Sequence, residues 1–236
     1  MKSSKKQYYR VAVRNGSSID KVELHQVFVI VYFAEREILT PLLLISPKPM
    51  AAKPKLVQDH LAHGRKYEPI AREKYTQIMK YNLKRDIKVR ETGLVIQPKF
   101  FWLAVSPDGV ISERLSDGNI SIGLLEIKCP ATKKFKVPQE LLSSENFYVK
   151  FEDGKPVLDK DHEYYSQIQM AMGICCAKFC DFVVYTLNGM IITRTPYDHG
   201  HFVTLLKKVN PFYKNHMLPR FVSSVNNNDN ENIALV

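Results

Sequence analysis

The chain has 236 residues, 45% of them hydrophobic, with 34 Lys and Arg against 24 Asp and Glu, a net charge of +10. This length suits one domain of ordinary size with a good core, and the basic excess favours a polyanionic partner. The one early apolar run, residues 27–34, is short for a membrane span and begins far in for a secretory signal, which favours a buried strand or short helix over an anchor.

The first 50 residues open with Lys2, Lys5, Lys6, Arg10 and Arg14. They then reach that apolar run, which Glu35, Arg36 and Glu37 interrupt, so it reads as a buried strand or a short helix. From Lys55 the pattern turns helical. Over residues 64–82, a rotation of about 100° per residue puts Tyr67, Ile70, Ala71, Tyr75, Ile78 and Tyr81 on one stripe. Glu68 falls at the edge of the stripe, at helical spacing from both Arg65 and Arg72, and periodicity alone favours a boundary glutamate paired with one of them. The basic charge is concentrated here: residues 51–90 hold eleven Lys or Arg and four Asp or Glu.

The aromatic and β-branched residues 100–105 read as a buried strand, ended by a turn at Pro107, Asp108 and Gly109. A second strand follows in Leu125, Glu126, Ile127, Lys128, Cys129 and Pro130. Strand alternation sends Leu125 and Ile127 one way and Glu126 and Lys128 the other, so a carboxylate and an ammonium project together. Two strands and a turn bring Asp108 beside Glu126. Their carboxylates, with the Ile127 backbone carbonyl, make a hard, oxygen-rich site suited to Mg²⁺ or Mn²⁺. Such a cation serves phosphodiester hydrolysis, in which Lys128 can orient water, act as a base or stabilise charge. Taken singly, each fragment is ordinary: Pro-Asp-Gly is a common turn, and Glu-Ile-Lys is often a solvated strand end.

Lys133, Lys134 and Lys136 follow, either as a solvated loop or as a loop facing DNA. Asp153-Gly154 marks a hairpin between residues 147–151 and 156–158. A helix is expected over residues 162–177, with Tyr164, Ile168, Ala171, Met172 and Cys175 on its packed stripe and Gln167 beside it. Tyr165 is either a DNA contact or a packing residue. Strands at residues 181–185 and 190–195 flank a turn at Asn188-Gly189. Phe202, Leu205, Leu206 and Val209 mark a closing helix, with Pro211 and Pro219 as kink or end points. Residues 223–236 are polar and low in complexity, and are expected to be disordered. Cys129, Cys175, Cys176 and Cys180 lack zinc-site spacing. Read as buried free thiols, they suit an intracellular compartment, cytoplasmic or nuclear.

Four blocks in order, GRKYEPIA from Gly64, SPDG from Ser106, LEIKCP from Leu125 and YYSQIQ from Tyr164, resemble the PD-(D/E)XK nuclease signature. More narrowly, they resemble the YqaJ-type recombinase family, which includes phage lambda exonuclease, over residues 55–221. The resemblance implies an α/β (α+β) restriction-endonuclease-like core, a central mixed sheet flanked by helices. It also implies a Mg²⁺-dependent exonuclease working 5′ to 3′ on the ends of double-stranded DNA, in recombination or DNA processing. An endonuclease of the same superfamily and a catalytically inactive DNA-binding domain are the alternatives.

On this resemblance the catalytic set is Glu68, Asp108, Glu126, Lys128 and Gln167, with Gln169 as the alternate glutamine. Asp108, Glu126 and the Ile127 carbonyl hold metal, and Glu68 assists through a water. Arg65, Arg72, Lys133, Lys134 and Tyr165 are the DNA-binding candidates, and a homo-oligomer, a trimer in the family, is implied. The family's arginine-bearing helix and Thr/Ser motif ahead of the GRxxE block find only a poor substitute in residues 10–18. The expected organisation is therefore a divergent or truncated segment at 1–50, the nuclease domain at 51–222 and the tail at 223–236.

Overall fold

The computed structural model describes residues 28–30, 42–44, 55–100 and 102–219. In chain order these form β1 (Phe28–Ile30), β2 (Leu42–Leu44), α1 (Lys55–Gln77), β3 (Asp86–Arg90), β4 (Val95–Ile96), β5 (Ala104–Val105) and β6 (Gly109–Arg114). After them come β7 (Ile120–Lys128), α2 (Pro138–Leu142), β8 (Val149–Glu152), β9 (Lys155–Leu158), α3 (Glu163–Cys175), β10 (Phe179–Thr186), β11 (Gly189–Pro196) and α4 (His199–Phe212).

The central sheet has five strands in the order β11-β10-β7-β6-β3. β7 and β10 run parallel and the other neighbours antiparallel, so the sheet is mixed. A parallel pair needs a crossover, and here the chain from the end of β7 to β10 passes through α2, the β8-β9 hairpin and α3. A smaller sheet, β2-β1-β5-β4, includes the strand form of part of the early apolar run. The rest of residues 1–54, and the tail at 223–236, lie outside the described residues.

Strand alternation divides the core. Leu125 and Ile127 face α1, where they join Ala71, Tyr75 and Met79. Leu124 faces the other way and packs with Ile168 and Met172 of α3. A third cluster joins Leu103 to Phe202, Leu205 and Val209 of α4. β7 is therefore covered on both faces, which fits its near-continuous apolar sequence. No helix among the described residues is long and apolar enough to cross a membrane.

Three local expectations are corrected. The buried line of α1 is Ala71, Tyr75 and Met79, while Ile70 and Tyr81 are exposed. The helix loosens into a π-helical turn at Ile78–Asn82, closed by the Leu83 N–H on the Ile78 carbonyl, which changes the phase of the stripe. Among the described residues of 100–105, Ala104–Val105 is strand. Pro98 starts a 3-10 turn at Pro98–Phe100, and the Phe100 and Leu103 N–H groups bond three residues back, to Gln97 and Phe100. The β10-β11 turn is made by Leu187 and Asn188, with Gly189 already paired to Thr186. The hairpin at Asp153-Gly154 stands as read, with both residues at positive φ, 48° and 76°.

Candidate active site

The pairing of β6 with β7 begins at Gly109 opposite Leu125. Asp108 therefore sits just beyond the paired region, where the β7 edge on that side is open. Its Oδ2 accepts the Ile127 N–H at 2.7 Å. The N–H and C=O of a strand residue point to the same side, so the Ile127 carbonyl faces the same opening. The Pro107-Asp108 turn thus delivers a carboxylate to the end of the central strand, as the sequence predicted.

On the α3 side of β7, Glu126 is buried. Its Oε1 accepts from Lys128 Nζ at 2.6 Å and from Gln167 Nε2 at 2.8 Å. Lys128 Nζ also reaches Gln167 Oε1 at 3.3 Å and lies 4.3 Å from the centroid of the Tyr164 ring. The aromatic wall extends from Tyr164 to Tyr148, His162 and Phe182, with ring centroids 4.6–5.7 Å from Tyr164. Tyr164 and Gln167 lie three residues apart on α3 and so share the face turned to Lys128. Gln169, the alternate, is fully buried elsewhere: it donates to the Pro196 carbonyl and accepts from the Asp198 N–H.

The electrostatics follow from this crowding. Burial, and then repulsion from Glu126 and Glu68, push the Asp108 carboxyl well above its usual range, against the pull of Lys128 and the Ile127 N–H. Burial by itself would lower the Lys128 ammonium. Glu126, then Tyr164 and Asp108, outweigh it and hold the group above an ordinary lysine. Cys129 is pushed up to about 12 by burial and by Glu68 and Asp108, so its thiol is unreactive. All four cysteines are free; Cys180 is buried, but Cys176, expected to be buried, is exposed at the left-handed cap of α3.

Glu68 realises the helix pairing read from spacing, with Arg72 Nη2 2.6 Å from its Oε1. Arg72 also donates from Nε to the Asp108 carbonyl at 3.2 Å and from Nη1 to Glu91. Glu91 was not singled out in the sequence: it follows β3 directly and carries no motif. Arg65 is exposed. Lys133 and Lys134 lie over the Phe147 and Phe135 rings at 4.7 and 5.0 Å. Lys134 also belongs with His60 and Lys66 to the positive groups that, after burial, lower His63, so the lysine loop adjoins the first half of α1. Tyr165 is only 4% exposed and packs edge-on against His201, a packing position and not a DNA-facing one.

Among the described residues, no three His, Cys, Asp or Glu side chains are gathered into a ready-made metal cluster. The donor chemistry nevertheless fits a hard divalent cation. Asp108 and Glu126 supply carboxylate oxygens beside an open strand edge, and their mutual repulsion is of the kind a cation relieves.

A mixed sheet that sets an acidic turn against a Glu-x-Lys strand defines the PD-(D/E)XK core. Residues 36–178 match the YqaJ-like viral recombinase domain, and the chain belongs to that family. An uncharacterized protein of Acanthamoeba polyphaga mimivirus is 28% identical over 156 residues, 65% of this chain and 25% of that protein. The chain thus spans about a quarter of the length of the curated relative it matches. Among solved structures, an alkaline exonuclease from Laribacter hongkongensis, LHK-Exo, is 22% identical, with 79% of this chain and 90% of that chain covered and a TM-score of 0.47. LHK-Exo in complex with dAMP is 24% identical, with 75% and 76% covered and a TM-score of 0.48.

Proposed function

We propose that this chain is a metal-dependent deoxyribonuclease, working 5′ to 3′ from the ends of duplex DNA in recombination or DNA processing. The observation that carries the reading is the meeting of Asp108, Glu126, Lys128 and Gln167 at one strand end, with Gln167 bridging carboxylate and ammonium. On this reading residues 51–222 form the nuclease domain, acting within a homo-oligomer.

Asp108, Glu126 and the Ile127 carbonyl would hold Mg²⁺ or Mn²⁺, with Glu68 assisting. When bound, the cation supplies Lewis acidity toward the scissile phosphate. Lys128, paired with Glu126, is placed to orient or activate the attacking water and to offset charge building on the phosphate. Gln167 fixes the Glu126 oxygen and the Lys128 ammonium in one register. Arg65, Lys133 and Lys134 are the cations available to phosphates along the duplex, within a chain of net charge +10.

The test is digestion of end-labelled linear duplex in Mg²⁺, wild type against Lys128→Ala, with closed circular DNA alongside. Loss of label from linear DNA only, abolished by Lys128→Ala, is the expected result. Cutting of the circle would reassign the chain as an endonuclease. Binding without cleavage in either Mg²⁺ or Mn²⁺ would leave a DNA-binding domain and end the enzyme reading.

A further inference from the structure

We propose that Arg72 is a positioning residue that locks the acidic turn to α1, and not a phosphate contact; the inference rests on the metal site proposed above. Arg72 stands one turn after Glu68, and three nitrogens of its guanidinium are engaged. Nη2 meets Glu68 at 2.6 Å, Nε meets the Asp108 carbonyl at 3.2 Å, and Nη1 meets Glu91. Its side chain is 11% exposed. A guanidinium spent in this way has little of its fork left for a phosphate, whereas its planar geometry suits the joining of three fixed oxygens.

The three oxygens come from three parts of the fold. Glu68 belongs to α1, Asp108 to the turn before β6, and Glu91 to the residue after β3. Among the described residues, the Arg72 Nε bond joins the Asp108 backbone directly to the helix that carries Glu68, in addition to the packing of β6 and β7 on that helix. The bond to the backbone carbonyl matters most, because it fixes the turn while leaving the Asp108 carboxylate free for its own work. A lysine would keep the charge but, as a single point donor, would not span the three positions.

The test compares Arg72→Lys and Arg72→Gln with wild type in two measurements made without turnover. One is Mn²⁺ affinity by calorimetry in the absence of DNA. The other is affinity for a short duplex in EDTA across a salt series. Both variants are expected to weaken Mn²⁺ binding about ten-fold or more, with lysine no better than glutamine, and to leave duplex affinity and its salt slope unchanged.

Unchanged Mn²⁺ affinity in the lysine variant would overturn the proposal. If duplex affinity and a salt slope of about one were lost as well, Arg72 would be a phosphate contact. Should both arginine variants fail to fold, Glu91→Ala removes one anchor at an exposed position. It is expected to weaken Mn²⁺ binding measurably, and no change there would overturn the lock. A wild type that binds no Mn²⁺ would instead fail the metal reading itself, before any variant is compared.

Discussion

Lys128 is held by charge on one side and by an aromatic face on the other. Glu126 and Gln167 fix its ammonium by hydrogen bonds, and the Tyr164 ring lies 4.3 Å away. A cation over a ring gains about 0.5–2 kcal/mol, more where water is excluded. Tyr164→Phe keeps that face and should leave single-turnover cleavage nearly unchanged. Tyr164→Leu removes it and should slow the same step roughly 2–30-fold, the rate equivalent of that energy. Equal rates for the two variants would exclude the ring as a support for Lys128. Glu126, Lys128 and Gln167 were readable in the sequence because strand alternation and helical spacing each assign a face. For Arg72 and Tyr165 spacing left two roles open, ion pair or phosphate contact and packing or DNA contact, because the groups that meet them are distant in sequence, Glu91 nineteen positions on and His201 on α4.

At the scale of elements, α3 begins on an unusual cap. The His162 Nδ1 accepts the Tyr164 N–H at 3.2 Å, a bond that only the neutral ring can accept. Burial lowers the His162 pKa below its ordinary 6.5, against the opposing fields of Glu163 and Asp159. The unfolded chain therefore binds the proton more readily. The cap's contribution is complete above about pH 6.5 and is lost as pH falls through the lower folded value. His162→Asn keeps a capping oxygen without the titration, so the Tm of wild type relative to this variant should fall between pH 7 and pH 5. A constant difference across that range would rule out titration of the cap.

A second element-scale prediction concerns Gly123 in β7. A Cβ there would lie 2.2 Å from the Phe179 ring, which is itself backed by the Arg194 guanidinium at 3.7 Å. The ring has little room to yield, and Gly123→Ala should cost about 1–3 kcal/mol in urea unfolding. The two hairpin glycines show why turn signals succeed or slip. Gly154 is required by its positive φ, which local sequence announces. Gly189 is required by Pro138, 2.6 Å from where its Cβ would be, and no local pattern reports that neighbour.

For the molecule as a whole, the sheet is clamped to α1 by an ionic network with buried carboxylates on the face away from Glu126. Arg194 forks onto Asp181 at 2.7 and 2.8 Å and reaches Glu113 at 2.5 Å. Tyr75 of α1 bonds Asp181 from the other side, and Arg85 pairs with Glu113 at 3.2 Å. Asp181 has no exposed surface. Arg194→Met would leave its carboxylate without a counter-charge and should cost about 3–5 kcal/mol in equilibrium unfolding. Metal affinity of the folded fraction should persist, since Arg194 bonds Asp181 and Glu113 and neither Asp108 nor Glu126; loss of both together would join the network to the site. None of this was legible in the sequence, because the partners meet across separations as long as 106 residues.

The parallel pairing of β7 with β10 has a kinetic consequence. Gln167 and Glu126 are 41 positions apart, and the intervening chain must close as a loop before strand and helix face one another. Such closures are slow beside helix or hairpin formation. During refolding the β8-β9 hairpin and the helices should form early, and DNA cleavage should return only with the last phase, when the crossover docks. Catalytic competence would then report completion of the fold more faithfully than its secondary structure does.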